Sequence, residues 1–150
     1  MADRRRTAGT IQCMGMILIL FSVSVFTGCA APYILHQRKD VSRDWTYLDF
    51  SRTNRPFVTR SAVGGEHMTF YRVIGFQNDR FIITLTPLTG DLFFSAAGEG
   101  VHVESLSGGA HRKKTVAVLA EEAVFSVELS AHPYGEYQLE IKKLPVNSTP

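Results

Sequence analysis

The sequence predicts an all-β protein, a single small antiparallel sandwich of about seven to eight strands, and three observations predict it. From Glu66 to Leu144, short runs of alternating apolar and polar residues follow one another, with Gly, Pro, Asp or Asn at the breaks. Turn signals recur about every eight to twelve residues, the rhythm of a two-sheet sandwich. No helix is convincing in that region: Ala120-Glu121-Glu122-Ala123 looks helical but is too short to displace the strand reading.

The elements follow in order. His67 to Phe76 sets Met68, Phe70, Ile74 and Phe76 on one face, and Gln77-Asn78-Asp79 is a turn signal. Arg80 to Leu88 sets Phe81, Ile83 and Leu85 against Ile82, Thr84 and Thr86, and Pro87, lacking an amide donor, marks the strand's end or an edge. Leu92-Phe93-Phe94 is short and apolar enough to be buried on both faces. Val101 to Leu106 alternates, Thr115 to Leu119 is a continuous run, and the two cleanest period-two signals come last. In these, Ala123, Phe125, Val127 and Leu129 share one face, as do Tyr137, Leu139 and Ile141.

Ahead of this region the organisation changes. Arg4, Arg5 and Arg6 precede an apolar stretch from Met14 to Phe26, then small residues, which is the layout of a secretory signal. The apolar stretch stops short of the roughly 20 residues of a membrane span; an uncleaved anchor with an incidental cysteine is the alternative. Arg4-Arg5 lacks the apolar residues that should closely follow a twin-arginine pair. Phe26-Thr27-Gly28-Cys29 resembles the lipobox of bacterial lipoproteins, with Phe26 where Leu is usual. The resemblance implies that residues 1–28 are removed, that Cys29 is acylated and becomes the first residue, and that the membrane is reached through that lipid. Two or three acyl chains, each contributing about 0.8 kcal/mol per buried methylene, hold a protein on a bilayer without help from its fold. Ala30 rather than Asp follows Cys29, which by resemblance to enterobacterial sorting implies the outer membrane.

Residues 29–43 then read as lipidated cysteine and tether, reaching roughly 45 Å if extended. Residues 44–65 read as an aromatic and polar lead-in with a potential edge strand around Trp45, 66–144 as the sandwich, and 145–150 as a disordered tail.

Of the 16 basic and 14 acidic residues, Arg4, Arg5, Arg6 and Asp3 fall in the signal, leaving 13 of each. A formally neutral domain lacks the dense basic face that nucleic acid requires. Cys13 is lost with the signal and Cys29 is occupied by lipid, so no disulfide is expected and stability must come from an apolar core.

Chemistry-bearing constellations are sparse. His36, His67, His102, His111 and His132 are scattered without the close pairing of zinc sites, and neither a metal nor a cofactor is expected. No nucleophile elbow or phosphate-cradling loop occurs, and Gly98-Glu99-Gly100 and Gly108-Gly109 read as hairpin turns. Glu121-Glu122 would point to opposite faces of a strand. The candidate partner-binding residues are Trp45 and Tyr47 near the tether and the basic run Arg112-Lys113-Lys114, which suits lipid headgroups or, more simply, a solvated strand edge.

Two stretches carry a second resemblance. Tyr71-Arg72-Val73, then Phe81 through Leu88-Thr89-Gly90-Asp91-Leu92-Phe93-Phe94, looks like the first half of a bacterial pre-peptidase C-terminal (PPC) domain. The segment Glu121 to Leu129, with Gly135-Glu136-Tyr137-Gln138-Leu139-Glu140-Ile141, is similar to that family's closing hairpin. The resemblance implies a jelly-roll-like accessory module that serves targeting or binding and is not itself catalytic. A calcium site carried over to Asp91 would lack its partner, since Leu92 stands where the family often has a second aspartate.

The expected function is therefore a lipid-anchored envelope lipoprotein whose domain binds another envelope component, protein or glycan, without catalysis. The rival from another class is a small hydrolase or carbohydrate-active enzyme, for which Asp91 with Glu99 or Glu104 is the only tempting acidic group. A structural spacer without a specific partner is the third reading.

Overall fold

The computed structural model describes residues 33–106 and 111–145. The signal, Cys29, Gly108-Gly109 and all of the expected tail but Pro145 lie outside them.

Among the described residues, ten strands build two five-stranded sheets. The first sheet contains β1 (Ile34–Lys39), β2 (Arg43–Asp49), β4 (Met68–Phe76), β9 (Glu122–Ala131) and β6 (Leu92–Gly98), in the order β1-β2-β4-β9-β6. The second contains β3 (Phe57–Gly64), β10 (Tyr134–Leu144), β5 (Arg80–Thr89), β8 (Arg112–Val118) and β7 (Val101–Leu106), in the order β3-β10-β5-β8-β7. Every pairing is antiparallel except β2 with β4, which run parallel because the chain visits the second sheet as β3 between them.

The core forms where the inward residues of both sheets meet. Phe81, Ile83 and Leu85 of β5, Phe125, Val127 and Leu129 of β9, and Tyr137, Leu139 and Ile141 of β10 are all 0% exposed, so the period-two faces expected for these strands are the buried ones. A run of edge-on rings, Phe50 to Phe81 (5.7 Å) and Phe81 to Phe125 (5.2 Å), joins the sheets. Such contacts add about 0.5–1.5 kcal/mol each beyond the area they bury.

Several expectations need correction. The sandwich has ten strands rather than seven or eight, and it starts well before residue 66. Much of the stretch read as a tether is β1, which pairs with β2 from Ile34↔Leu48 to Lys39↔Asp44. The Trp45 strand is internal, between β1 and β4, and β3 is an edge of the other sheet. In β4 the inward side carries Thr69, Tyr71 and Val73, while Met68, Phe70, Ile74 and Phe76 face outward. Gly75 is inward as well, and a Cβ there would sit 2.7 Å from Val118 Cγ2, so the sheets approach too closely for a side chain. Leu92 is buried but Phe93 is 56% exposed, because β6 is an edge strand covered on one face only. Pro87 lies within β5 rather than at its end, yet β8 begins opposite Leu85 and its pairing with β5 does not reach residue 87, so its missing donor is not needed on that side.

The Gln77-Asn78-Asp79 turn is present, with Asn78 at a φ of 70°. Asp79 is only 6% exposed. It accepts a hydrogen bond from the Phe76 amide (3.1 Å) and pairs with Lys143 Nζ (2.8 Å). Lys143 shares the inward side of β10 with Ile141, and its ammonium needs a counter-charge there.

Candidate functional site

The sequence-predicted partner residues fall into three separate environments. Trp45 and Tyr47 project from the outer face of the first sheet. Trp45 stacks on Phe70 of β4 (6.0 Å) and carries Arg38 of β1 over its ring (5.3 Å). Tyr47 lies beside His36 of β1 (5.7 Å) and under Arg72 of β4 (6.0 Å). The register makes these contacts: Arg38, Trp45 and Phe70 are direct cross-strand neighbours, as are His36, Tyr47 and Arg72. Both aromatic rings are thus approached from both flanking strands, and each cation–π contact contributes about 0.5–1 kcal/mol at an exposed site. The ladder reinforces the parallel β2–β4 seam.

The basic run is split by strand alternation. Arg112 and Lys114 share the inward side of β8 with Val116 and Val118, at the open end of the sandwich. Arg112 reaches across to β6, donating to the Leu92 carbonyl and to Asp91 Oδ1 (3.2 Å). Lys114 donates to Ser105 Oγ (2.9 Å) and lies over the Phe94 ring (5.4 Å). Lys113 alone points to the outer face. The three charges do not form one patch.

The acidic residues proposed for a hydrolytic rival are also apart. Asp91 and Glu99 flank the opposite ends of β6, about 26 Å apart at the rise of an extended strand. Glu104 faces outward from β7, where it bonds His102 (3.1 Å). The remaining histidines have separate neighbours: His67 pairs with Asp44 (3.3 Å) and His111 with Thr86 (2.9 Å). Among the described residues no three His, Cys, Asp or Glu gather in a group that could hold a metal ion.

What the fold does assemble is a cleft of about 310 Å³ along one lateral side, where β1 and β2 of one sheet face β3 of the other. Its lining includes Gln37, Lys39, Asp44, Thr46, Thr59, Ser61, Thr69 and Tyr71. These are the inward positions of their strands, where a core would hold apolar side chains. The cleft opens between the sheets at this side, and its inward positions carry hydroxyls, an amide and the charged side chains of Lys39 and Asp44. The Tyr71 hydroxyl, at the floor, shares a 2.9 Å hydrogen bond with Tyr137 of the opposite sheet, and among the described residues no buried side-chain polar atom lacks a partner. A second, more open depression of about 520 Å³ lies at the end of the sandwich holding Gly65, Asp91, Phe93, Arg112 and His132.

Burial, and next the neighbouring Tyr137, push the Tyr71 phenol well above the ordinary 10.0 of a tyrosine; a hydrogen bond from Thr59 works the other way. The folded state therefore keeps its proton where the unfolded chain releases it. Stability from this source is complete below pH 10 and falls as pH rises beyond it. Tyr71→Phe is expected to cost about 1–3 kcal/mol at neutral pH, by leaving the Tyr137 hydroxyl unpartnered, and to flatten the alkaline loss. Tyr71→Phe with Tyr137→Phe should be closer to wild type at neutral pH. Urea titrations at pH 7 and above pH 10 check all three expectations.

Sequence reasoning passed over this cleft because its polar lining reads as loop composition. The signal available was Thr59 and Ser61, then Thr69 and Tyr71: polar pairs at period two, each on the side that continues an apolar face.

No family model matches the chain, and no curated protein matches it. Among solved structures, the pre-peptidase C-terminal domain of a collagenase from Bacillus anthracis superposes with a TM-score of 0.50. The sandwich is PPC-like. The alignment covers 69% of this chain and all of that domain at 11% identity, so it establishes architecture and no more. The PPC-like sandwich agrees with the fold expected from the Tyr71 to Phe94 and Glu121 to Ile141 segments.

Proposed function

We propose that the protein is an exported bacterial lipoprotein, acylated on Cys29 and held at the outer membrane, whose PPC-like sandwich binds an envelope protein or glycan without a catalytic step. The observation that carries this reading is the lateral cleft. Its volume matches small-ligand sites, which run about 300–1,000 Å³, and its lining of Thr46, Thr59, Ser61 and Gln37 both donates and accepts hydrogen bonds. That chemistry suits a sugar or an extended peptide backbone. Support for a binding role over hydrolysis comes from the carboxylates: the cleft contains only Asp44, already paired with His67, and the end depression only Asp91. Glycoside hydrolysis in its usual form needs two facing each other.

The test is crosslinking of the native lipoprotein in envelopes, with Cys29→Ser and Ser61→Trp forms alongside. Ser61→Trp fills the cleft from an exposed position of β3 and spares the core. Cys29→Ser should move the protein to the soluble fraction with an unchanged melting temperature. Ser61→Trp should stay membrane-bound and lose the crosslinked partner. Retention of the same partner by Ser61→Trp would refute the cleft as the binding site.

A further inference from the structure

We infer that the sandwich stands end-on upon the bilayer that carries its lipid, with the turn at Leu119 and the end of β4 at Phe76 against the membrane surface; the inference rests on acylation of Cys29. Because β1 is part of the sandwich, the tether ends at Tyr33. The Tyr33 carbonyl accepts the Asp49 amide (2.8 Å), and its ring packs against Phe50 (5.9 Å) and Phe57 (5.4 Å). Only Ala30, Ala31 and Pro32 separate that fixed residue from Cys29. Four residue steps reach at most about 14 Å, a third of the span expected for a tether running to residue 43.

Tyr33 lies at the end of the sandwich where β4 meets β5 and β8 meets β9. There the two connections are bonded to each other, the Gln77 amide to the Glu121 carbonyl (3.1 Å) and Gln77 Nε2 to the Leu119 carbonyl (3.4 Å). They present Phe76 (41% exposed) and Leu119 (62%), with Val124 (46%) just behind on β9. Apolar side chains are also exposed at the opposite end, Val41 and Phe93 among them. That end is about 33 Å away along a ten-residue strand such as β5, so tether length, not hydrophobicity, selects the Leu119 end. Charges there balance, with Arg52, Arg55 and Arg80 against Glu99, Glu121 and Glu122, and contact does not require anionic lipid. The consequence for binding is directional: the Asp91–Arg112 depression faces away from the membrane and the lateral cleft opens alongside it.

The experiment uses the acylated protein reconstituted into vesicles of phosphatidylethanolamine and phosphatidylglycerol. Single cysteines at Leu119→Cys and Val41→Cys, labelled with an environment-sensitive fluorophore, report contact through quenching by spin-labelled lipid; the acylated Cys29 sulfur does not react. The expected result is several-fold stronger quenching at position 119 than at 41. Equal quenching at the two positions, or stronger quenching at 41, would overturn the orientation. Shielding of the 119 label in Cys29→Ser protein without vesicles would overturn it in favour of contact between copies. Intact mass of the same sample reads acylation separately, so an unacylated chain would defeat the lipoprotein reading and not be confused with a failed orientation.

Discussion

Asp79→Ala is expected to lower the unfolding free energy by about 3–5 kcal/mol, the usual cost of removing one partner of a buried ion pair. Two interactions are lost at once. Lys143 is left on the inward side of β10 with its side chain 15% exposed and no counter-charge 2.8 Å away, and the Phe76 amide loses the carboxylate that closes the β4–β5 turn. An exposed pair would contribute only about 0–1 kcal/mol, so the size of the loss measures how far this pair is withdrawn from water. Lys143→Met in the Asp79→Ala background should recover a large part of it, since an apolar chain suits an inward position and removes the stranded charge. Urea denaturation decides the matter: a midpoint drop with unchanged slope is the expected signature. A loss below about 1 kcal/mol for Asp79→Ala would mean the pair behaves as a surface contact.

Phe81→Ala is expected to cost a similar amount, about 3–5 kcal/mol, by a different mechanism. Phe81 is 0% exposed and is the ring through which the second sheet touches both Phe50 and Phe125. Opposite it lies Gly75, which has no side chain to move into the vacated space. The cavity should therefore persist rather than collapse, which places the cost high in the range for aromatic truncation. Phe81→Leu keeps much of the volume and should cost clearly less. Equal losses for the two substitutions would show that the edge-on ring contacts, and not the filled volume, hold the sheets together.

Strands were legible in the sequence wherever one side met the core and the other met water. In β5, β9 and β10 the residues at period two that read as apolar are buried, because both neighbours in the sheet enforce the same pleat. In β4 the alternation misled: Phe70 and Ile74 are apolar but face outward, where Phe70 is covered by Trp45. Meanwhile Tyr71 turns inward because Tyr137 supplies a partner for its hydroxyl. Local pattern cannot distinguish the two sides of a strand that is apolar on both. The candidate cleft was illegible for the complementary reason. Inward positions of β1 and β3 hold Gln37, Lys39, Thr59 and Ser61, and polar residues on that side erase the period that marks a strand.

The sequence by itself determined an all-β fold for the described residues, the buried sides of its three most regular strands and the equal count of acidic and basic residues after position 28. These follow from residue type and short-range spacing, which are complete in the linear chain. Only the tertiary structure decided that residues 34–39 are a strand, that Arg112 and Lys114 turn inward while Lys113 does not, that Asp79 and Lys143 meet, and that hydroxyls from three strands line one cleft. Each depends on pairing between segments far apart in sequence, and a strand's backbone can be satisfied by a neighbour whatever side chains it carries.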